Sequence, residues 1–522
     1  MKMKSYRDMA KDLSEGLRDS LIYTFVAGIL AHGVMMFNKL SWFSDLNRGF
    51  INEKTKAISL GRWLKAFLNY AVSKTFGGKN LSLPLFFGAV SILLIALSAH
   101  IIIRMFDIRR KSLRMVLCQL MVVTPVVTST FGYMYDAPYY FLALFLATAG
   151  VYIAANRPRW DGAVVGELCL CGSLGLYQAY FPVGVSLFVI LLIMEIARER
   201  HASFSKVFFR GLYFLGMCVA GLVLYYAIWK LTMKVLGIVA DDYQGVSSIG
   251  QSGIGAYIYA AKTCYKRFLL QFANNKENLY PMKLVWVQWL IIAAGGLSGL
   301  CLVLRRFRKD KWQAVLMAVL LAVLPICFNL IYMMGASTPS ESFNVYSLML
   351  YGQCMLYVFL IASVDLLWDG GRKLPSRLCP AAVAVLALMV GMNAYFDNSC
   401  YLKAEMVQQQ TISNMTVLVS RIKSMEGYND LMPVCILRTG KKDATLAKNE
   451  AFKDIRLRPY SYIYPSHAQN RYIVDYLEKW CGFAPEYADR SDFMDLEEVQ
   501  QMPDYPDDGS IKIINGTVVV KW

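Results

Sequence analysis

The feature that most limits how this chain can fold is a set of apolar runs about twenty residues long. Leu83 to Ile103, for example, holds no Asp, Glu, Lys or Arg. A helix rises ~1.5 Å per residue, so such a run matches the ~30 Å hydrocarbon core of a bilayer. Spans of this kind are predicted near 21–40, 81–103, 115–133, 137–155, 163–181, 182–197, 207–230, 285–304, 312–333, 344–367 and 379–396. Composition agrees: 56% of the 522 residues are hydrophobic and 17% charged, against about a quarter charged in soluble domains. The fold class is an α-helical polytopic membrane protein with about 11 transmembrane helices. Collagen-like, disordered, coiled-coil and disulfide-scaffold classes are excluded, because the 36 Gly have no period and the 12 Cys are scattered.

Charge orients the spans. Residues 1–397 carry 39 Lys and Arg against 20 Asp and Glu, whereas residues 398–522 carry 15 against 17. The net +17 therefore belongs to the membrane part, and the absence of a basic soluble module argues against nucleic-acid binding. Of the membrane cations, 24 fall in alternate short segments: the N-terminus, 104–114, 157–159, 198–210, 305–311 and 372–377. The opposite short loops, near Asp136, Tyr180 and Glu341, have none. The positive-inside rule then puts the N-terminus inside, and an odd number of spans puts the C-terminus outside. The first apolar block is long enough to stay as an anchor, with no cleavage site behind it.

The other 15 cations sit in two long outward segments, about 39–80 and 230–284. They read either as solvated or headgroup-facing charge, or as an outward pocket for a phosphate-bearing lipid, since Lys and Arg are the usual phosphate ligands. In the first segment Leu60, Trp63, Leu64, Phe67, Leu68 and Ala71 recur with helical spacing. That predicts an amphipathic helix near 60–73, too short to span and lying along the membrane surface, with Arg62 and Lys65 available to phosphate. In the second, Asp241-Asp242 precede Tyr257, Lys262, Lys266 and Arg267 at helical spacing, which suits a second interfacial helix or a loop over the pocket.

Several acids lie close to the outer boundary. Asp45 follows the first span by about five residues. It reads either as a loop or capping residue, or as the base that takes a proton from an acceptor hydroxyl while a sugar carbon is attacked. Glu53 is a candidate of the same kind. Asp136, in the turn GYMYDAPYY, is an anion with no cation near it in sequence. The tyrosines around it fit a headgroup belt, while Asp136 itself fits a second acid that binds sugar hydroxyls or a metal. Gln178 and Tyr180 end the fifth span on the same side, as belt residues or as sugar-recognising groups. Glu167, Glu195 and Asp365 fall near inner ends, where snorkelling or pairing with Arg is expected. Most cysteines lie in spans; Cys264, Cys400, Cys435 and Cys481 face outward, where disulfides are open to them.

After residue 397 the composition changes. A helical pattern covers Lys403–Met425, Met432–Leu437 reads as a buried strand, and a helix is expected from a Ser466 cap through Trp480. IKIINGTVVVKW predicts a hairpin about Asn515-Gly516, whose type I′ turn needs positive φ at both central residues. Residues 398–522 are thus a small extracytoplasmic α/β domain behind a transmembrane domain of 1–397. No Gly-rich phosphate loop appears in it.

FVAGILAHGVMMFNKLSWFSDLNRGF, ISLGRWLKAFL, YQAY and the closing IKIINGTVVVKW resemble the polytopic glucosyltransferases of bacterial O-antigen serotype conversion, over nearly the whole chain. The resemblance implies a GT-C-like fold, a polyprenyl-phosphate sugar donor such as undecaprenyl-phosphate glucose, a cell-surface glycan or lipid-linked glycan as acceptor, and inverting transfer on the outer face of the cytoplasmic membrane. It also implies an acidic residue in the first outward loop, which Asp45 matches. Many relatives have two adjacent acids there, whereas this chain has Ser44-Asp45. Asp45 would then act with Glu53 or Asp136. No cofactor is fixed by the resemblance, and a divalent metal stays open. A flippase or transporter of lipid-linked saccharides, or a polymerase of them, is the alternative; inverted repeats and mid-bilayer charges would mark a transporter.

Overall fold

The computed structural model describes residues 4–40, 54–76, 81–199, 203–241, 253–273, 285–334, 345–368, 373–437, 452, 455–460 and 470–522. Contacts divide the chain into two compact units, one of residues 1–39 and 51–399 and one of residues 40–50 and 400–522.

The larger unit is helical. In chain order it contains α1 (Tyr6–Ser14), α2 (Leu17–Phe37), α3 (Lys54–Ser59), α4 (Trp63–Thr75), α5 (Pro84–Met105), α6 (Lys111–Val123), α7 (Pro125–Phe131), α8 (Ala137–Asn156), α9 (Trp160–Leu176), α10 (Phe181–Ala197), α11 (Phe204–Leu236), α12 (Ile254–Ala273), α13 (Val285–Phe307), α14 (Lys311–Phe328), α15 (Ile331–Met334), α16 (Met355–Trp368) and the first part of α17 (Lys373–Lys423). Ten of the described helical segments are long and apolar enough to cross a membrane, so the protein is a polytopic helical membrane protein. The predicted span at 163–181 is shorter, because α9 ends at Leu176; its 17 residues reach ~26 Å. A 3₁₀ turn, Gln178–Tyr180, then leads into α10, with Pro182 in its first turn.

Proline also explains why the third predicted span is two helices. Thr124, just before Pro125, is extended at φ −68° and ψ 139°, the conformation that a following proline favours. Chain neighbours pack closely where side chains are small. A Cβ on Gly150 would meet the Gly166 carbonyl oxygen at 2.9 Å, so α8 and α9 meet backbone to backbone, as small residues permit in membrane helices.

Polar contacts collect the cation-rich segments at one end of this unit. The Lys4 amide donates to the Asn156 carbonyl at 3.1 Å, and Asp12 accepts from Lys4, Arg104 and Tyr152. Arg198 donates to the Phe106 carbonyl and Arg210 to that of Ala155, at 2.5 and 2.7 Å. Lys309 pairs with Glu199 at 2.6 Å. Glu195 pairs with Arg210 and Asp365 accepts from the Arg109 and Arg110 amides, as expected of acids near span ends. Glu167 differs: among the described residues both its buried oxygens have no hydrogen-bond partner, because α9 sets it beside Gly221 of α11.

The smaller unit holds a three-stranded sheet, β1 (Val434–Leu437), β2 (Ile511–Ile514) and β3 (Thr517–Lys521), in the order β1-β3-β2. β2 and β3 are antiparallel with Ile514 opposite Thr517, and β1 runs parallel to β3 with Val434 opposite Val518. Asn515 and Gly516 have φ of 50° and 73°, the turn expected from the sequence. Met415, Leu418 and Ile422 of α17 pack with Ile473, Tyr476 and Leu477 of α18 (Asn470–Cys481) and with Val434, Ile436, Val518 and Val520. The expected cap Ser466 lies outside the described residues. Among the described residues Cys264, Cys435 and Cys481 are free thiols, and Cys400 is buried. Where the sequence pattern separates a last span from a following helix, the chain continues as one helix of 51 residues.

Candidate active site

At residues 57–62 the backbone makes a tight turn between α3 and α4. Gly61 has φ +78°, a conformation that side chains with a Cβ adopt at a cost. The amides of Gly61 and Arg62 donate to Ile58 and Ala57 carbonyls at 2.9 and 2.8 Å. Distant residues hold the turn from outside. The Trp229 indole donates to the Ile58 carbonyl at 2.7 Å, the Asp241 amide to that of Ser59 at 3.2 Å, and the Gln178 amide to that of Leu60 at 2.8 Å. Gln178 also donates to the Tyr225 hydroxyl at 2.8 Å. No space remains for a side chain at Gly61, where a Cβ would lie 2.2 Å from that hydroxyl.

The turn presents Arg62, and α4 presents Lys65 one turn later. Lys65 reaches Asp136 at 2.5 Å with both side chains 1% exposed. Its cation thus comes from 71 positions earlier in the sequence, which the local pattern around Asp136 does not reveal. Tyr140 donates to the other Asp136 oxygen at 3.1 Å and accepts from Arg62 at 3.2 Å. The Tyr140 and Tyr177 rings stack at 4.0 Å between centroids, and the Arg62 guanidinium lies 4.7 Å from the Tyr177 ring centroid. A guanidinium on an aromatic face keeps in-plane donors while gaining cation–π attraction. Tyr180 is fully buried, its ring 5.5 Å from Tyr351 and 6.4 Å from Phe141.

Among the predicted site residues, Arg62, Lys65, Asp136 and Gln178 therefore come together, with Tyr180 packed behind Tyr177. Tyr140, Tyr177 and Tyr225 join them; in the sequence Tyr140 is one of the belt tyrosines around Asp136, Tyr177 begins the YQAY run that reads as belt or sugar-recognising, and Tyr225 carries no signal. Lys262, Lys266 and Arg267 lie on the exposed face of α12, whose buried face carries Ala260, Cys264 and Phe268 against α14 and α15. Asp45 and Glu53 lie outside the described residues. Asp397 is a further buried acid, fully enclosed and accepting from Thr128 at 2.5 Å. The sequence hid it at the edge of the last predicted span. Among the described residues no group of three or more His, Cys, Asp or Glu is arranged to hold a metal ion.

The arrangement is a largely buried cluster of two cations, one acid, an amide and tyrosines whose parts come from α3–α4, α7–α8, α9–α10 and α11. Residues 33–357 match the family described as Glucosyl transferase GtrII, a stretch that includes each of these elements and well over half of the chain. No curated protein and no solved structure matches the chain. On the strength of that family match, the chain belongs to the GtrII family of glucosyltransferases.

Proposed function

We propose that this membrane glucosyltransferase moves a hexose, glucose by the family's description, from a polyprenyl-phosphate donor to a cell-surface glycan. Transfer takes place on the outer face of the bacterial cytoplasmic membrane and inverts the anomeric centre. The observation that carries this reading is the Arg62–Tyr140–Asp136–Lys65 group, a set of fixed cations and phenols at the other ends of helices whose cation-rich ends are gathered together. A lipid phosphate needs such donors at the membrane boundary, and stacked tyrosines suit the faces of a sugar.

Each group has a distinct task. Arg62, held against Tyr177 and Tyr140, brings its positive charge to the phosphate and stabilises the charge that develops there as the glycosidic bond breaks. Asp136 has one oxygen on Lys65 and the other on Tyr140, so it acts as a positioning residue for the guanidinium's support. Asp45 takes the proton of the acceptor hydroxyl, whose oxygen attacks the anomeric carbon from the face opposite the phosphate; the lipid phosphate leaves. Glu53 assists on the same segment, and Lys262, Lys266 and Arg267 supply exposed cations for the donor headgroup. The C-terminal α/β unit is extracytoplasmic.

Membranes holding the chain, supplied with labelled polyprenyl-phosphate glucose and a glycan acceptor, test this. Wild type transfers label with inversion, and Asp45→Asn lowers the rate by ~10²-fold or more, the usual value of a general base. Wild-type rates in Asp45→Asn would remove Asp45 from its role. Absence of transfer by wild type from polyprenyl-phosphate hexoses would overturn the donor.

A further inference from the structure

The last membrane helix carries polar atoms that the fold does not use. Asn393 and Asp397 are both 0% exposed, four residues apart in α17, and so share one face of the helix. Asp397 accepts from Thr128 through one oxygen at 2.5 Å. Among the described residues its other oxygen, and both the oxygen and the nitrogen of the Asn393 amide, have no hydrogen-bond partner. Buried polar side chains are nearly always partnered, and in a membrane-spanning helix an acid placed toward the protein interior marks function more often than stability. Here one carboxylate oxygen and one amide are enclosed by the fold with no hydrogen bond among the described residues.

We infer that Asn393 and Asp397 form a subsite for the hydroxyls of a hexose. Two neighbouring hydroxyls donate to the free Asp397 oxygen and the Asn393 oxygen, and one of them accepts from the Asn393 amide nitrogen. The inference rests on the reading above, in which the donor carries a hexose. The connection to the candidate site runs through α7. Thr128 of this short helix holds Asp397, while its last residue, Phe131, packs against Phe141 at 6.1 Å between centroids. Phe141 follows Tyr140 in α8 and packs against Tyr180 in turn. Five residues after Phe131 the chain reaches Asp136. The break at Pro125 thus lets one stretch of chain touch the acid on the last span and supply the acid of the Lys65 pair.

The test uses full-length protein in membranes with polyprenyl-phosphate glucose and its single-deoxy analogues. In wild type, deletion of at least one hydroxyl lowers kcat/KM by ~10-fold or more, because a buried carboxylate left without its donor is costly. In Asp397→Asn and Asn393→Val that discrimination falls to within about threefold, while transfer of glucose itself becomes slower. Removing a partnerless polar atom from a folded interior does not destabilise it, so both variants accumulate and melt in detergent at or above the wild-type temperature. Loss of folding in both variants would assign the pair to stability and overturn the inference. Variants that keep the wild-type discrimination ratio overturn it too, as does a wild type indifferent to every deletion. Failure of wild type to use any polyprenyl-phosphate hexose is a different outcome, which removes the donor reading and the subsite with it.

Discussion

The Lys65–Asp136 pair offers a test whose size follows from its geometry. At 2.5 Å and 1% exposure, an effective dielectric of ~20 gives an attraction of roughly 7 kcal/mol. Desolvation opposes this with several kcal/mol for each ion, so the intact pair contributes little net stability. Breaking it is another matter. Lys65→Met takes the Lys65 cation away from a buried carboxylate that keeps the Tyr140 hydroxyl, and costs ~3–5 kcal/mol. Asp136→Asn takes the carboxylate away from the buried Lys65 ammonium and costs about the same. The double variant removes both charges and is destabilised by no more than ~1 kcal/mol, a coupling of several kcal/mol across the pair. Denaturant titration in micelles, followed by circular dichroism, measures all four corners of the cycle. A single Lys65→Met substitution costing under ~1 kcal/mol, or additive single substitutions, would refute the argument that the two charges are buried against each other.

Gly61→Ala is expected to be among the most damaging small substitutions, since it combines positive φ with a Cβ 2.2 Å from the Tyr225 hydroxyl and 2.6 Å from the Gln178 amide nitrogen; a loss of ~2 kcal/mol or more and a rise in donor KM should appear together in melting and transfer assays. At the opposite end, burial pushes the Asp12 carboxyl up, but hydrogen bonds from Tyr152, Lys4 and Arg104 outweigh it and hold the group down at about 2. A depressed acid stabilises the fold above its unfolded value of 3.8 and loses that contribution as pH falls through about 2. Hydrogen exchange over residues 6–14 should therefore accelerate on acidification through that window in wild type, whereas Asp12→Asn exchanges fast at neutral pH and changes little below it.

Hydropathy made the membrane helices legible, since twenty apolar residues can do little else in a bilayer. It could not show where they break. Thr124 leaves the helix because of the proline after it, and Tyr177 because a 3₁₀ turn replaces helix at Gln178–Tyr180; both breaks sit within apolar runs. The hairpin at Asn515-Gly516 was legible because two adjacent residues demand one turn. The site was half legible. Arg62 and Lys65 stood out beside an apolar stripe, and Asp136 as an isolated acid, but their union is a long-range contact that local pattern does not encode. Gln178 looked like a sugar ligand, and its amide nitrogen is engaged in holding the Leu60 carbonyl and Tyr225. Asp397 was hidden because a charge one residue past a predicted span end looks like ordinary boundary charge.

The clamp on the 57–62 turn also sets an order of events during synthesis. The turn leaves the ribosome early, and its ion-pair partner Asp136 follows 71 residues after Lys65. Gln178, Tyr225 and Trp229, which hold its carbonyls and fill the space beside Gly61, come later still. A nascent chain stopped before residue 229 therefore has the residues that present Arg62 but lacks a part of what fixes them. The cluster is written near the start of the message and completed only when the span containing Trp229 has been made, which couples assembly of the site to insertion of the helices around it.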